Sequence, residues 1–214
     1  MTMYLRRLPR LAAVVLAVVA TTTTATGAGT LYESLSTRIR GEIEGRDGDR
    51  LNIRSRDGAT VRIRLAPGYQ VTAALPSDPR SIQPGAFVGA VAVPQPDGRL
   101  EALEVAIFPE AMRGAGEGHY PWDLTPESTM TNANVATVVT GEPDGGSTLT
   151  LSYPGGGQTV VIPSGVPVVR LAPGDDLLLR PGNHVFIPVA ERQPDGTLLA
   201  AVVVVGKDGL VPPM

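Results

Sequence analysis

Residues 84–98 read PGAFVGAVAVPQPDG, and residues 181–196 read PGNHVFIPVAERQPDG. Each segment begins with Pro-Gly, continues through apolar residues and ends in Gln-Pro-Asp-Gly. Each is followed by a leucine, at Leu100 or Leu198. Two segments that share a start, a hydrophobic body and a turn motif indicate that one structural unit occurs twice.

A second pair of segments recurs upstream in the same order. Residues 51–63 begin Leu-Asn-Ile and end Thr-Val-Arg-Ile, and residues 149–162 begin Leu-Thr-Leu and end Thr-Val-Val-Ile. We therefore interpret the chain as an internal repeat, with repeat one at about residues 36–108 and repeat two at about residues 133–207. Residues 208–214 are expected to form a short C-terminal tail.

Inside each repeat, apolar and polar residues alternate. Val61, Ile63 and Leu65, for example, are separated by two arginines. A period of two predicts β-strands with one wet face. Asp-Gly pairs, which readily form tight hairpin turns, separate the predicted strands at residues 47–48, 57–58, 97–98, 144–145 and 195–196, with Gly155 to Gly157 in the place of one pair.

The fold class predicted from these patterns is all-β, with two tandem small OB-like β-barrels joined by a long loop that contains Gly, Pro and Trp. Short strands protect their edges economically by curling into a small barrel. Residues 78–82 and 175–179 have room for one helical turn before the next Pro-Gly. A turn at this place in a five-stranded barrel is typical of the OB fold.

Composition excludes several kinds of chemistry. The chain has 214 residues and no cysteine, so it has no disulfide, thiolate metal site, cysteine nucleophile or lipoprotein anchor. Its 25 glycines and 20 prolines leave little room for long helices, and a hydrophobic content of 43% excludes a fully disordered chain.

The first 28 residues have the order of a secretory signal peptide. Arginines at positions 6, 7 and 10 precede the apolar run Leu11 to Ala20, and small residues lead to a cleavage position after Ala28. A membrane anchor is the alternative, but ten apolar residues are fewer than the roughly 20 that span a bilayer. We therefore expect a periplasmic or secreted protein without a stable membrane span after cleavage.

Nucleic acid is not an expected partner. Removal of the signal leaves 15 basic and 21 acidic side chains, a net charge of −6, which suits a phosphate backbone poorly. Single-strand binding also needs exposed aromatic residues, and the aromatic content is 4%. The first repeat nevertheless carries a set of arginines on predicted strands, interpreted as solvated: Arg38, Arg40, Arg54, Arg56, Arg62 and Arg64.

The candidate site is the central loop, residues 109–132, which has no sustained period and holds the only tryptophan. Imidazole, thioether and carboxylate groups in this loop are ligands for copper or a borderline divalent ion. They come from Glu110, Met112, Glu117, His119 and Met130. A single histidine is a weak metal signal, so packing of Tyr120 and Trp122 between the barrels is the favoured interpretation.

Other sets of reactive residues have simpler interpretations. His184 aligns with Phe87 on a predicted strand and is interpreted as a buried or rim residue. No Gly-x-Ser-x-Gly motif occurs, which argues against a serine hydrolase. Asp175 and Asp176 follow Pro-Gly and are expected to start a helical turn. Gly155 to Gly157 lacks the rest of a phosphate loop and is expected in a hairpin.

Motifs of the central loop resemble a known protein family. FPEAMRG at residues 108–114, EGH at 117–119, PWDL at 121–124 and TMTNA at 129–133 resemble small exported bacterial proteins of unknown function with OB-like β repeats. Some members are labelled "metal ABC transporter permease". A permease needs several long apolar spans, so the resemblance implies export and OB-like repeats, and it supplies no catalytic residues.

Together these observations predict a non-enzymatic, exported binding or accessory module of the cell envelope, without a cofactor. Its partner is expected to be an envelope protein or a small ligand. The alternatives are a periplasmic metal-binding protein that uses Glu117, His119 and Met112, and an unrecognised enzyme. The residues expected to contact the ligand or partner are Glu110, Met112, Arg113, Glu117, His119, Tyr120, Trp122 and Asp123.

Overall fold

The computed structural model describes residues 36–141 and 146–214, so the signal predicted at residues 1–28 lies outside the described residues. The described chain is all-β, as predicted. Its strands are β1 (Ser36–Asp47), β2 (Arg50–Ser55), β3 (Thr60–Ser77), β4 (Phe87–Pro94), β5 (Leu100–Ile107), β6 (Gly118–Pro121), β7 (Thr129–Thr140), β8 (Ser147–Tyr153), β9 (Gly156–Ile162), β10 (Val168–Pro173), β11 (His184–Arg192) and β12 (Leu198–Gly206).

Single 3-10 turns occupy Pro79–Ser81, Glu110–Met112, Asp176–Leu178 and Lys207–Gly209. Two of them fall where the sequence predicts one helical turn. Asp78 caps the first by accepting a hydrogen bond from the Arg80 amide, and Asp175 caps the third in the same way from the Leu177 amide. In the described parts of the chain, no helix is long and apolar enough to cross a membrane.

Five strands close into a small barrel, here called the first ring. β1 pairs with β2 and β11, β2 pairs with β3, and β11 pairs with β12, all antiparallel. The ring closes where β12 runs parallel to β3, from Leu198 opposite Ile63 to Gly206 opposite Ala74. Closure gives every strand of the ring a partner on both sides.

Five other strands form a second circuit, here called the second ring. β4 pairs with β5 and β7, β7 pairs with β8, and β8 pairs with β9, again antiparallel. β5 and β9 run parallel, with Leu100 opposite Val160. The parallel contact occupies the same place in the circuit as the parallel contact between β3 and β12.

Each ring combines strands from both halves of the sequence, which differs from the expected barrels at residues 36–108 and 133–207. The first ring consists of β1, β2 and β3 together with the hairpin of β11 and β12. The second ring consists of β7, β8 and β9 together with the hairpin of β4 and β5. The physical reason is the length of β3, which continues past the first ring and delivers the next hairpin to the other one.

The second half of β3 pairs with β10 along a line here called the seam. The two strands are antiparallel, from Thr72 opposite Pro173 to Ser77 opposite Val168. β10 also runs parallel to β5 of the second ring. The seam therefore connects the backbone hydrogen bonds of the two rings into one twelve-stranded sheet.

Each ring has its own hydrophobic core, and a third core fills the space between the rings. Ile43, Leu51 and Ile187 are fully buried in the first ring, and Leu149 and Ile162 are buried in the second. Residues beside the 3-10 turns complete these cores: Leu179 packs in the first ring and Ile82 in the second. The third core comprises Ala74, Val91, Ala106, Met130, Val169, Leu171, Phe186, Val204 and Met214.

The Gln-Pro-Asp-Gly motifs form the same turn in the β4–β5 hairpin and in the β11–β12 hairpin. The Gln95 amide donates to the Arg99 carbonyl, and the Gln193 amide donates to the Thr197 carbonyl, each at 2.8 Å. Gly98 and Gly196 both have φ near +83°, a conformation that favours glycine. The turns predicted from the sequence are therefore present at these two sites.

Because each ring contains a hairpin from the other half of the sequence, we expect that neither half folds alone. Fragments 36–113 and 114–214 each expose half of two cores, so we expect each to lack a cooperative unfolding transition. An equimolar mixture should recover the transition of the intact chain, because the missing strands are then supplied. Circular dichroism during a denaturant titration checks this outcome, with intact 36–214 as the control. A cooperative transition in either isolated fragment would contradict it.

Candidate site at the central segment and the arginine pocket

The segment between β5 and β7 has more structure than the loop expected at residues 109–132. It contains the turn Glu110–Met112 and the short strand β6, which pairs with β7 so that His119 lies opposite Thr131 and Tyr120 opposite Met130. β6 has only four residues between Gly118 and Pro121, too few for a visible alternation of polar and apolar side chains. We call residues 109–128 the central segment.

Trp122 attaches the central segment to the first ring. Its ring centre lies 6.0 Å from that of Tyr120 and 6.3 Å from that of Phe186 in β11. The Arg38 guanidinium lies over the indole at 3.9 Å from the ring centroid, which is cation–π geometry. Trp122 and Tyr120 both pack against the third core.

Asp123 adds ion pairs to this contact. Its carboxylate lies 2.8 Å from Arg40 Nη2 and 3.8 Å from Arg38 Nη1. Burial acts to raise the pKa of Asp123, but the hydrogen bond and positive charge of Arg40, together with Arg38, outweigh burial and hold the pKa below its usual value. The carboxylate therefore stays ionised and keeps both arginines in place.

The three residues predicted to bind metal have separate partners. His119 Nδ1 lies 2.8 Å from Thr131 Oγ1, and burial lowers the pKa of its imidazole. Glu117 accepts a hydrogen bond of 3.0 Å from the Asn134 side chain. Met112 packs against the third core. Among the described residues, no group of three or more His, Asp and Glu side chains is arranged to hold a metal ion.

Glu110 and Arg113 attach the start of the central segment to the second ring. Their salt bridge measures 2.6 Å. Arg113 also donates to the Gly85 carbonyl at 2.9 Å and to the Asn134 side chain. These contacts anchor the segment near β7 and leave Arg113 occupied.

A pocket of about 420 Å³ opens beside the central segment at one end of the first ring. We call it the arginine pocket because three arginines contribute to its wall. β1 supplies Arg38 and Arg40, the end of β2 leads to Arg56, and the central segment supplies Asp123 and Leu124. The lining residues are Thr37, Arg38, Ile39, Arg40, Ser55, Arg56, Asp57, Val61, Asp123, Leu124 and Leu198.

Arg56 is the unpaired cation of this pocket. Within the described residues its side chain has no salt bridge and no hydrogen bond. Burial lowers the pKa of Arg56, and the positive charge of Arg40 lowers it further, while Glu104 and Asp123 act in the opposite direction. The sequence predicts that Arg38, Arg40 and Arg56 are solvated, and the structure has Arg56 exposed, whereas Arg38 and Arg40 are half-buried. The hydrogen bond of 3.1 Å from the Arg56 amide to the Arg40 carbonyl brings them together.

Glu104, on β5, is the buried acid next to this cluster. It is 6% exposed, and its Oε1 has no hydrogen-bond partner. Burial raises the pKa of Glu104 to about 7, although Arg40, Arg56 and a hydrogen bond from the Met214 amide each lower it. The sequence does not single out this residue, because the apolar residues Leu103 and Val105 flank it as they would flank an exposed strand residue.

Residues 208–214, expected to form a short tail, are packed against the body. Pro212, Pro213 and Met214 are buried, and Met214 belongs to the third core. Arg40 Nε donates a hydrogen bond to the Met214 carbonyl. Arg40 therefore contacts both Asp123 of the central segment and this last stretch of the described chain.

Comparisons with family models, with curated proteins and with solved structures find no match for this chain.

Glu104→Gln should change how stability depends on pH. The raised pKa means that the folded protein binds the proton of Glu104 more tightly than the unfolded chain does. The stabilisation that comes from this proton is fully present below the ordinary pKa of 4.5 and is lost as the pH rises through about 7. Glutamine stays neutral at every pH. The free energy of unfolding of Glu104→Gln, relative to that of the wild type, should therefore rise by about 3 kcal/mol between these two pH values. Denaturant titrations from pH 4 to pH 8 measure the difference.

Glu101→Gln is the matched control, because Glu101 is exposed on the same strand. We expect no comparable gain with pH for that variant. A difference between Glu104→Gln and the wild type that is constant from pH 4 to pH 8 would contradict the assignment.

Proposed function

We propose that this chain is an exported, non-enzymatic binding module of the cell envelope, and that the arginine pocket holds an anionic group of its ligand. The observation that carries this proposal is Arg56, an exposed arginine whose side chain has no partner among the described residues, in a pocket of about 420 Å³. A guanidinium group binds carboxylate or phosphate oxygens with two parallel hydrogen bonds. The bound anion would offset the positive charge of Arg40 that Arg56 now faces.

Preorganisation of the pocket supports binding. Arg38 is held over Trp122, and Arg40 is held by Asp123, so a ligand does not have to order these two long side chains. On the other wall, Ser55 and Asp57 close the turn between β2 and β3: the Ala59 carbonyl accepts from the Ser55 hydroxyl at 2.9 Å, and the Ala59 amide donates to Asp57 at 3.1 Å. These contacts give Ser55 and Asp57 a structural role rather than a catalytic one.

The proposed architecture is a pair of OB-like barrels that exchange their last two strands. Each ring has a three-stranded meander closed by a hairpin through one parallel contact. The alignment that equates Pro84-Gly85 with Pro181-Gly182 also equates Ala74 with Leu171, and these two residues face each other at the seam. This register is what a two-fold relation between duplicated units would produce. The resemblance to exported proteins with OB-like repeats agrees with this proposal.

Anion binding at the arginine pocket can be tested with Arg56→Gln. Acetate, succinate and sulfate are titrated at constant ionic strength, with the fluorescence of Trp122 as the signal, because this single tryptophan contacts Arg38. At least one anion should bind, and the substitution should weaken it by about tenfold, the loss expected for one charged hydrogen-bonding group.

Arg170→Gln is the control for this titration, since Arg170 is an exposed strand arginine on β10 that does not line the pocket. Its affinity should stay within a factor of about two of the wild type. Equal affinities for the wild type and Arg56→Gln would remove the arginine pocket as the binding site.

Export has a separate test. If the general secretion pathway processes the chain after Ala28, the mature protein begins at Gly29. Mass spectrometry of protein recovered from the periplasm or medium should give this N-terminus. Retention of Met1, or recovery only with the membrane fraction, would contradict the proposed signal.

A further inference from the structure

A second group of arginines lies on the outer face of the first ring, away from the arginine pocket. Arg50 on β2 is directly opposite Arg64 on β3. Arg62 is two residues before Arg64, so its side chain is on the same face of the strand. All three residues are exposed, and none forms a salt bridge within the described chain. We call them the arginine triplet.

The placement of the triplet is unfavourable without a counter-ion. Like charges directly opposite each other on neighbouring strands destabilise a sheet. Paired residues have Cα atoms roughly 5 Å apart, and residues two apart on a strand are separated by roughly 7 Å. Three arginines whose Cα atoms have this spacing can therefore bring their guanidinium groups to the same small anion.

A concave surface accompanies the triplet. Arg50, Arg62 and Arg64 line a pocket of about 360 Å³ together with the β11–β12 turn, which contributes Asp195 to Thr197. Among the described residues that line this pocket, the only acid is Asp195, which accepts a hydrogen bond of 2.9 Å from the Thr197 amide. This hydrogen bond is the main cause that lowers the pKa of Asp195, and the positive charge of Arg64 contributes less. The four charged side chains leave a net charge of +2.

The fold itself does not need this charge. Residues 129–162, which include the corresponding three-stranded meander of the second ring, contain no lysine or arginine. The same type of strand arrangement therefore forms without basic residues. The arginine triplet is a property of the first ring alone.

We propose that Arg50, Arg62 and Arg64 form a binding site for a phosphate monoester. Such a group carries nearly two negative charges at neutral pH and presents three acceptor oxygens, which matches the net charge of the pocket and its three guanidinium donors. This site is distinct from the arginine pocket, because the two pockets share no lining residue.

The test uses glycerol 3-phosphate and isothermal titration calorimetry with the full mature chain. Arg62→Gln should weaken binding by about tenfold, as expected when one charged donor is lost. Because Arg62 is exposed, the substitution should leave the fold intact, which the thermal midpoint verifies. Arg64→Gln provides a second variant with the same expected loss. Affinity should also fall from pH 8 to pH 5, where the phosphate monoester loses its second charge.

Two controls separate this site from general charge effects and from the proposed function. Arg170→Gln, which removes an exposed arginine elsewhere, should change the affinity for glycerol 3-phosphate by less than about twofold. Arg56→Gln, which alters the arginine pocket, is titrated in parallel, and a loss confined to that variant would place the phosphate group in the arginine pocket and overturn the triplet site. An unchanged affinity in Arg62→Gln and Arg64→Gln overturns the site, whatever Arg56→Gln does to the binding of other anions.

A vesicle experiment identifies the source of the phosphate group. Phosphatidylcholine vesicles are prepared with and without phosphatidic acid, whose headgroup is a phosphate monoester. Capture that requires phosphatidic acid, is lost in Arg62→Gln and is competed by glycerol 3-phosphate assigns the site to a lipid headgroup. Binding of glycerol 3-phosphate without vesicle capture assigns it to a soluble phosphorylated molecule. Failure of both probes to bind the wild type overturns the proposal.

Discussion

The antiparallel pairing of β3 with β10 holds this molecule together. β3 is an 18-residue strand that pairs with β12 in the first ring and with β10 at the seam. Because it passes from one ring to the other, the hairpin that follows it is delivered to the far side. The exchange of hairpins, the third core between the rings and the position of the central segment all depend on that crossing.

Arg40 is the point at which three distant parts of the chain meet. It extends from β1 of the first ring to Asp123 of the central segment and to the Met214 carbonyl. Glu104, from a strand of the second ring, lies close enough to experience its charge. Charge–charge and cation–π contacts thus add to apolar packing where the central segment covers the junction, and they orient the walls of the arginine pocket.

Local features of the fold were predictable because they depend on neighbouring residues. Alternation around Ile63 predicts a strand, the Asp-Gly motif at Gly196 predicts a turn, and Asp175 is observed as the cap expected from its place after Pro-Gly. The exchange of hairpins was not predictable in this way. Strand β4 has the same pattern of side chains whether it pairs within its own half or with β7 of the other.

Much of the site was missed for a related reason. Arg56 and Arg40 are 16 positions apart, and only the register between β1 and β2 shows that they share a pocket. Glu104 stands between apolar residues in the sequence, as an exposed strand residue would, but its side chain is buried beside Met214 of the third core. Trp122 was found because a single tryptophan in an irregular segment is conspicuous without tertiary information.

Closure of the first ring by β12 has a consequence for the timing of folding. Two of the strands made first, β1 and β3, remain without their partners β11 and β12 until nearly all of the described chain has been synthesised, since β12 ends at Gly206. Contacts between residues so far apart in sequence form slowly. During synthesis the first ring therefore remains an open sheet, and its core is completed only when the last strand has left the ribosome.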